Sequence, residues 1–163
     1  MPTLSLDAAV AITGISRSTL WRRAGDGALT KGDKDARGRA TLALGEVLGL
    51  LRATGGVALA ADEVAALQRA DAGDARAQAD MGALFYVAGA ERAALYWLNE
   101  AAAQGNGDAM QWLGVAYAAP GGKTAEQQAQ DDNLAVMWIA RAAAQGQAVA
   151  QRQMAGLLPA RRG

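Results

Sequence analysis

The sequence contains no cysteine and no histidine, and only one phenylalanine and three prolines in 163 residues. The missing cysteine excludes disulfide scaffolds, thiol nucleophiles and thiolate metal sites. The missing histidine removes imidazole ligands and every mechanism built on a histidine base. Any catalysis would have to run on carboxylates, lysine, tyrosine or serine alone. Also missing is any apolar run approaching the ~20 residues that span a bilayer. Met1 to Asp7 lacks the basic and apolar regions of a secretion signal. A soluble, cytoplasmic chain with no membrane partner is the expectation.

Hydrophobic residues make up 52% of the chain but aromatic residues only 5%, because alanine dominates. Such a composition favours closely packed helices over sheet, and the length suits one or two small domains with their own cores. The net charge of zero is unevenly spread. Residues 1–53 carry eight Lys/Arg against five Asp/Glu, or +3, and residues 54–163 carry eight against eleven, or −3. A weakly basic head on a weakly acidic body suggests different partners for the two halves.

Ser5 to Ile12 reads as a short helix with Ser5 as N-cap and Leu6, Ala9 and Val10 on one face. Thr13-Gly14-Ile15 breaks it, and a second helix begins at the N-cap Ser16, runs through Arg17-Ser18-Thr19-Leu20-Trp21-Arg22-Arg23 and ends at Gly25 and Gly27. Two short helices around a tight glycine-containing turn are the helix-turn-helix layout. In the second helix Leu20 is the anchor. Arg17, Ser18 and Thr19, with Ser16, sit early enough to reach base edges or phosphates, and Arg22 and Arg23 fall near the backbone. Arg17 is the candidate for a bidentate guanine contact.

Ala28-Leu29 and Ala40 to Leu44 read as two short strands around a polar loop. Lys31, Lys34, Arg37 and Arg39 make that loop a basic wing, with a solvated charged hairpin as the alternative. A helix from about Glu46 to Arg52 closes the head by turning Val47, Leu48 and Leu51 to the core. The run Leu6-Asp7-Ala8-Ala9-Val10, then Thr13-Gly14-Ile15-Ser16-Arg17-Ser18-Thr19-Leu20-Trp21-Arg22, then Asp26-Gly27, resembles the small winged helix-turn-helix of MerR-like, phage excisionase and AlpA-type regulators. The resemblance covers about fifty residues and implies major-groove insertion of helix 16–24 and phosphate contacts from the wing. No long dimerisation helix or cysteine effector site follows, so it does not extend to metal or thiol sensing.

Beyond a linker at Thr54-Gly55-Gly56 the chain repeats itself. Ala94 to Gly105 recurs as Ala135 to Gly146 at a spacing of 41, with seven of twelve positions identical, Trp97 and Trp138 included. Ala77 to Gly82 with Phe85 likewise matches Ala109 to Gly114 with Tyr117, and Val149 to Ala155 opens an incomplete third copy. Each unit reads as helix, loop, helix. Gly82, Gly114, Ala102 and Ala143 allow close approach of helix axes, and the two tryptophans wedge between neighbouring pairs. A helix at about Ala61 to Asp71 begins the stack as a lone second helix. Ala148 to Leu158 ends it, with Pro159 and the tail Arg161-Arg162-Gly163 stopping growth. The pattern of Ala, then Leu-Gly, then Tyr, later Trp followed by Ala-Ala-x-x-Gly, resembles the Sel1-like repeat, a relative of the tetratricopeptide repeat. The first unit lacks the usual stretch between helices, and the second expands it to Ala119–Asp132, as a partner contact or as tolerated surface.

Glu100, Asp108, Asp131 and Asp132 have no partner base or nucleophile at a recognisable spacing, and caps explain them better: Asp108 stands at an N-cap and Asp131-Asp132 at a helix start. Gly121-Gly122-Lys123-Thr124 ends like a phosphate-binding loop but lacks the first glycine and the preceding strand. No catalytic residue, metal or cofactor is expected. The fold expected is mainly α, a winged helix-turn-helix over 1–53 followed by a short α-α solenoid over 57–163. The function expected is sequence-specific regulation on double-stranded DNA, as a homodimer. The repeat array would hold a protein partner or a second copy. The alternative is an adaptor or scaffold that uses both parts for protein contacts.

Overall fold

The computed structural model describes residues 1–157; the expected stop at Leu158, Pro159 and the arginine tail lies outside them. The described chain is mainly helical, with a single two-stranded sheet. The elements run β1 (Thr3–Ser5), α1 (Leu6–Thr13), α2 (Arg17–Gly25), β2 (Thr41–Ala43), α3 (Leu44–Ala53), α4 (Ala61–Asp71), α5 (Ala75–Val87), α6 (Glu91–Ala103), α7 (Gly107–Ala118), α8 (Ala125–Ala144) and α9 (Ala148–Leu157). Among the described residues no helix is long and apolar enough to cross a membrane.

Local chemistry accounts for the first two helices. Ser5 caps α1 by accepting the Ala8 N–H at 3.1 Å, and Ser16 caps α2 by accepting the Thr19 N–H at 3.2 Å. Between them Gly14 adopts φ 69°, a left-handed conformation that costs glycine little and lets its N–H return to the Val10 carbonyl at 3.0 Å. Leu20 and Ala24 fasten α2 to the core through its one buried stripe.

The sheet differs from the expected hairpin. Residues 28 and 29 form no strand. β2 pairs antiparallel with β1 at the start of the chain, Thr3 facing Ala43 and Ser5 facing Thr41. On its other edge β2 meets residues 30–32 through a single bridge, Lys31 to Leu42, flanked by bonds from Gly32 to Thr41 and from Ala43 to Thr30. The 33–39 loop then folds on itself, with the Asp35 carboxylate accepting the Arg37 and Arg39 N–H groups, both at 2.9 Å.

From α4 onward one turn recurs three times. Glycines 73, 105 and 146 take positive φ at the end of α4, α6 and α8. In each case the N–H after the glycine reaches back to close the helix: Asp74 to Arg69, Asn106 to Ala101 and Gln147 to Ala142, all at 3.1 Å. The same residue then caps the next helix with its side chain, accepting from Ala77, Ala109 and Ala150 respectively. Asn106, not Asp108, is therefore the cap of α7; Asp108 lies in its first turn, where the helix dipole favours it.

Helices adjacent in sequence pack on one another, α5 on α6 and α7 on α8 most extensively. A Cβ on Gly82 would lie 2.5 Å from Leu98 Cδ2, and one on Gly114 would lie 2.4 Å from Ile139 Cδ1. Leu98 and Ile139 are themselves equivalent positions, so both pairs rely on the same close approach. The second link is shorter than expected: only 119–124 is loop. Residues 125–132 extend α8, and Asp131 pairs with Lys123 at 2.8 Å rather than starting a helix. Helix formers at Ala125 to Gln130, behind a Thr124 cap reciprocated by Gln127, explain the extension.

Buried side chains from β1, α1, α2, β2 and α3 join those of α4, α5 and α6 in one hydrophobic cluster, running from Leu4 to Trp97. A second cluster, from Ala79 to Ala150, fills the space between α5 and α9. Thr54-Gly55-Gly56 thus connects two segments that share a core.

Candidate functional site

The seam between these segments is closed by Asp71, the last residue of α4. Its carboxylate, almost fully buried, accepts the Ser5 N–H and the Ser5 hydroxyl, each at 2.6 Å, while Arg39 Nη2 pairs with it at 3.1 Å and donates to the Asp71 carbonyl at 2.7 Å. Ser5 is also the cap of α1, so one carboxylate fixes the start of α1, the 33–39 loop and the end of α4. Nothing in the sequence motifs marks Asp71. The available signal is its position: an acid in the last turn of a helix opposes the dipole and calls for a cationic partner elsewhere.

That arrangement divides the ten residues expected to contact DNA. Arg17, Ser18 and Arg22 lie exposed on α2 and Ser16 at its cap, with Thr19 and Arg23 partly exposed. Ser16 donates its hydroxyl to Thr19 Oγ1 at 2.8 Å, and Arg17 is ion-paired with Asp7 of α1. Lys31 is exposed and stands 4.3 Å above the ring of Trp21, which ties the loop to α2. Lys34 and Arg37 are exposed on the loop. Arg39 is turned inward and held between Asp35 at 2.7 Å and Asp71. Burial opposes its charge, but those two carboxylates prevail and raise its pKa above the ordinary value. For Asp35, burial works the other way from the Arg39 and Arg37 hydrogen bonds, and the bonds win, holding its carboxyl below the usual range.

Ser16, Arg17, Ser18 and Trp21 wall a shallow groove of about 710 Å³ whose floor is Leu6 and Ala40. Trp21 is 43% exposed there, unusual for so large an apolar side chain. Hydroxyls, a guanidinium and an aromatic face on one exposed strip can donate to phosphates or base edges and pack on a sugar or base. The strip contains no base, nucleophile and acid in mutual contact. Gly121-Gly122-Lys123-Thr124 follows a helix, and Lys123 is engaged with Asp131 and the end of α7. Among the described residues no group of three or more acidic side chains converges as a metal site would require.

Compared with family models, curated proteins and solved structures, the chain matches none.

Proposed function

We propose that the chain is a sequence-specific DNA-binding regulator. Its first fifty residues act as a winged helix-turn-helix of the MerR-like, excisionase and AlpA-type kind, and its Sel1-like helices hold a protein partner or a second copy. The observation that carries this reading is α2 itself. It is anchored by Leu20 and Ala24, preceded by a tight glycine turn, and presents Ser16, Arg17, Ser18 and Arg22 outward beside the Lys31 and Lys34 loop. Seated in a major groove, Arg17 would release Asp7 for a guanine edge, worth ~1–3 kcal/mol of discrimination. The loop lysines would meet flanking phosphates. Arg39 drops out of the contact set, because its guanidinium holds the seam.

A module of this size buries ~600–1,000 Å² on DNA, which limits affinity, so two copies on half-sites ~34 Å apart are expected. Gel shifts against genomic fragments test the reading, with the Arg17→Ala, Arg22→Ala, Lys34→Ala triple variant as control. A sequence-selective complex in the wild type, weakened at least ~10-fold in the variant, is expected. Equal binding by both proteins would refute it. One observation favours the alternative of an adaptor: Arg17 and Arg39 are both neutralised within the chain. Absence of any duplex binding at low salt would support that reading.

A further inference from the structure

A second cleft, of about 510 Å³, opens where α1 and the 37–39 turn face α6. It is lined by four guanidinium groups, Arg17, Arg37, Arg39 and Arg92, against two carboxylates, Asp7 and Glu100. The lining alone sums to +2, but Arg39 also faces Asp35 and Asp71 from outside it, so the excess positive charge lies at Arg37 and Arg92 against Glu100. Arg17 and Arg39 are already matched by Asp7 and by Asp35 with Asp71. Among the described residues Arg37 and Arg92 have no carboxylate within ion-pair distance, and both are exposed. The cleft also holds Tyr96. Burial, and then the nearby Glu100 and Asp71 charges, push its pKa upward, so the hydroxyl remains a hydrogen-bond donor.

Two guanidinium groups without a carboxylate partner, lining one cleft with a hydroxyl donor, suit a tetrahedral oxyanion, which accepts paired N–H bonds from planar forks. Arg92 belongs to α6, well beyond the first fifty residues. Its position relative to Arg37 is set by the shared core and by the Asp71 clamp. We propose that this cleft is a phosphate-binding site, with Arg37 and Arg92 as its two free guanidinium groups. The phosphate is either a backbone phosphodiester of a duplex lying along α2 or the phosphate of a free ester. Arg17 lines both this cleft and the groove along α2, which makes the duplex source geometrically continuous. The duplex source rests on the DNA-binding reading; the free-ester source does not.

The test uses the ¹⁵N-labelled full chain titrated with inorganic phosphate at constant ionic strength. Saturable shifts of the Arg37 and Arg92 Nε–Hε signals are expected, weakened ~10-fold or more in the Arg37→Gln, Arg92→Gln double variant. Melting temperature is the folding control, since neither side chain is buried. Shifts that never saturate, or that all surface arginines share, would overturn the site. A second arm measures duplex affinity against salt. A slope reduced by ~1 in Arg92→Gln assigns the phosphodiester source. A wild-type slope with saturable phosphate binding assigns the free ester. If wild type binds phosphate saturably but no duplex, the site stands and the DNA-binding reading falls.

Discussion

Trp97 and Trp138 stand at equivalent positions 41 residues apart, yet their surroundings differ. Trp97 is 1% exposed and lies in the cluster that joins α6 to the head, with Tyr96 edge-on at 4.8 Å. Trp138 is only partly buried and carries Arg141 above its ring at 5.1 Å. The polar interior differs likewise. Gln78, buried in α5, donates to the Ala70 carbonyl at 3.0 Å and accepts from Gln104 at 2.8 Å. Its counterpart in α7 is Met110, which can do neither. Identical turns and caps therefore establish the local geometry of both pairs, and neighbours decide what each position contributes. The α5–α6 pair is covered by the head on one side and by α7 on the other. The α7–α8 pair has only α9 beyond it among the described residues.

The largest test of this contrast is a matched pair of substitutions. Trp97→Ala is expected to cost about 3–5 kcal/mol in urea unfolding, and Trp138→Ala half of that or less. Equal losses would break the comparison. Trp97→Phe sharpens it: the indole N–H is buried with no acceptor among the described residues, so its removal forfeits no hydrogen bond, and most of the stability should return.

Asp71 comes next, since only the first pair is clamped to the head. Asp71→Ala leaves the Ser5 N–H and hydroxyl without their acceptor and Arg39 without one carboxylate. A loss of about 2–4 kcal/mol is expected. Hydrogen exchange should accelerate at the start of α1 and at the end of α4 but not in α8. Acceleration spread evenly over the chain would show that Asp71 supports the whole fold rather than the seam.

The close contacts of the two pairs should be alike if the repeat fixes them. Gly82→Ala drives a methyl against Leu98 and Gly114→Ala against Ile139, and each is expected to cost about 1–3 kcal/mol. A loss confined to Gly82 would mean that the second pair shifts apart to make room, which would extend the contrast from burial to packing.

These features were legible in the sequence to the extent that their causes are local. Ser5, Gly14 and Ser16 lie within a few residues of the groups they satisfy, and the α1–turn–α2 boundaries follow from them. The Gly82 and Gly114 approaches were legible because they recur, whereas the caps that follow the glycine turns, Asp74, Asn106 and Gln147, were not, since three different residue types fill one role. The pairing of β2 with Thr3–Ser5 was not, since a three-residue strand has too little pattern to declare a partner some forty residues away. Asp71, Arg92 and Tyr96 carry no motif, and only the folding of α4 and α6 against the head gives them a role. Arg39 has the marks of a wing residue, a basic side chain in a polar loop; its two carboxylate partners become visible only in three dimensions.

The smallest expected effect lies where the two pairs differ most in chain length. Glu91, which opens α6, corresponds to Asp132, so α8 begins seven residues earlier at Ala125. Lys123 secures that extension. Its ammonium donates to the Tyr117 and Ala119 carbonyls at 3.2 and 3.1 Å, where the dipole of α7 ends, and pairs with Asp131 in the second turn of α8. All of these partners stay partly accessible, so water and salt compete for each one. Lys123→Ala is therefore expected to cost only about 0.5–1 kcal/mol at low ionic strength and less in molar salt. Asp131→Ala should lose a smaller part of the same amount, because the carbonyl contacts survive it. Unfolding at two salt concentrations measures both. A salt-independent loss approaching that of Trp97→Ala would show that the link is a core element, and the second pair would then be held by its loop instead of its tryptophan.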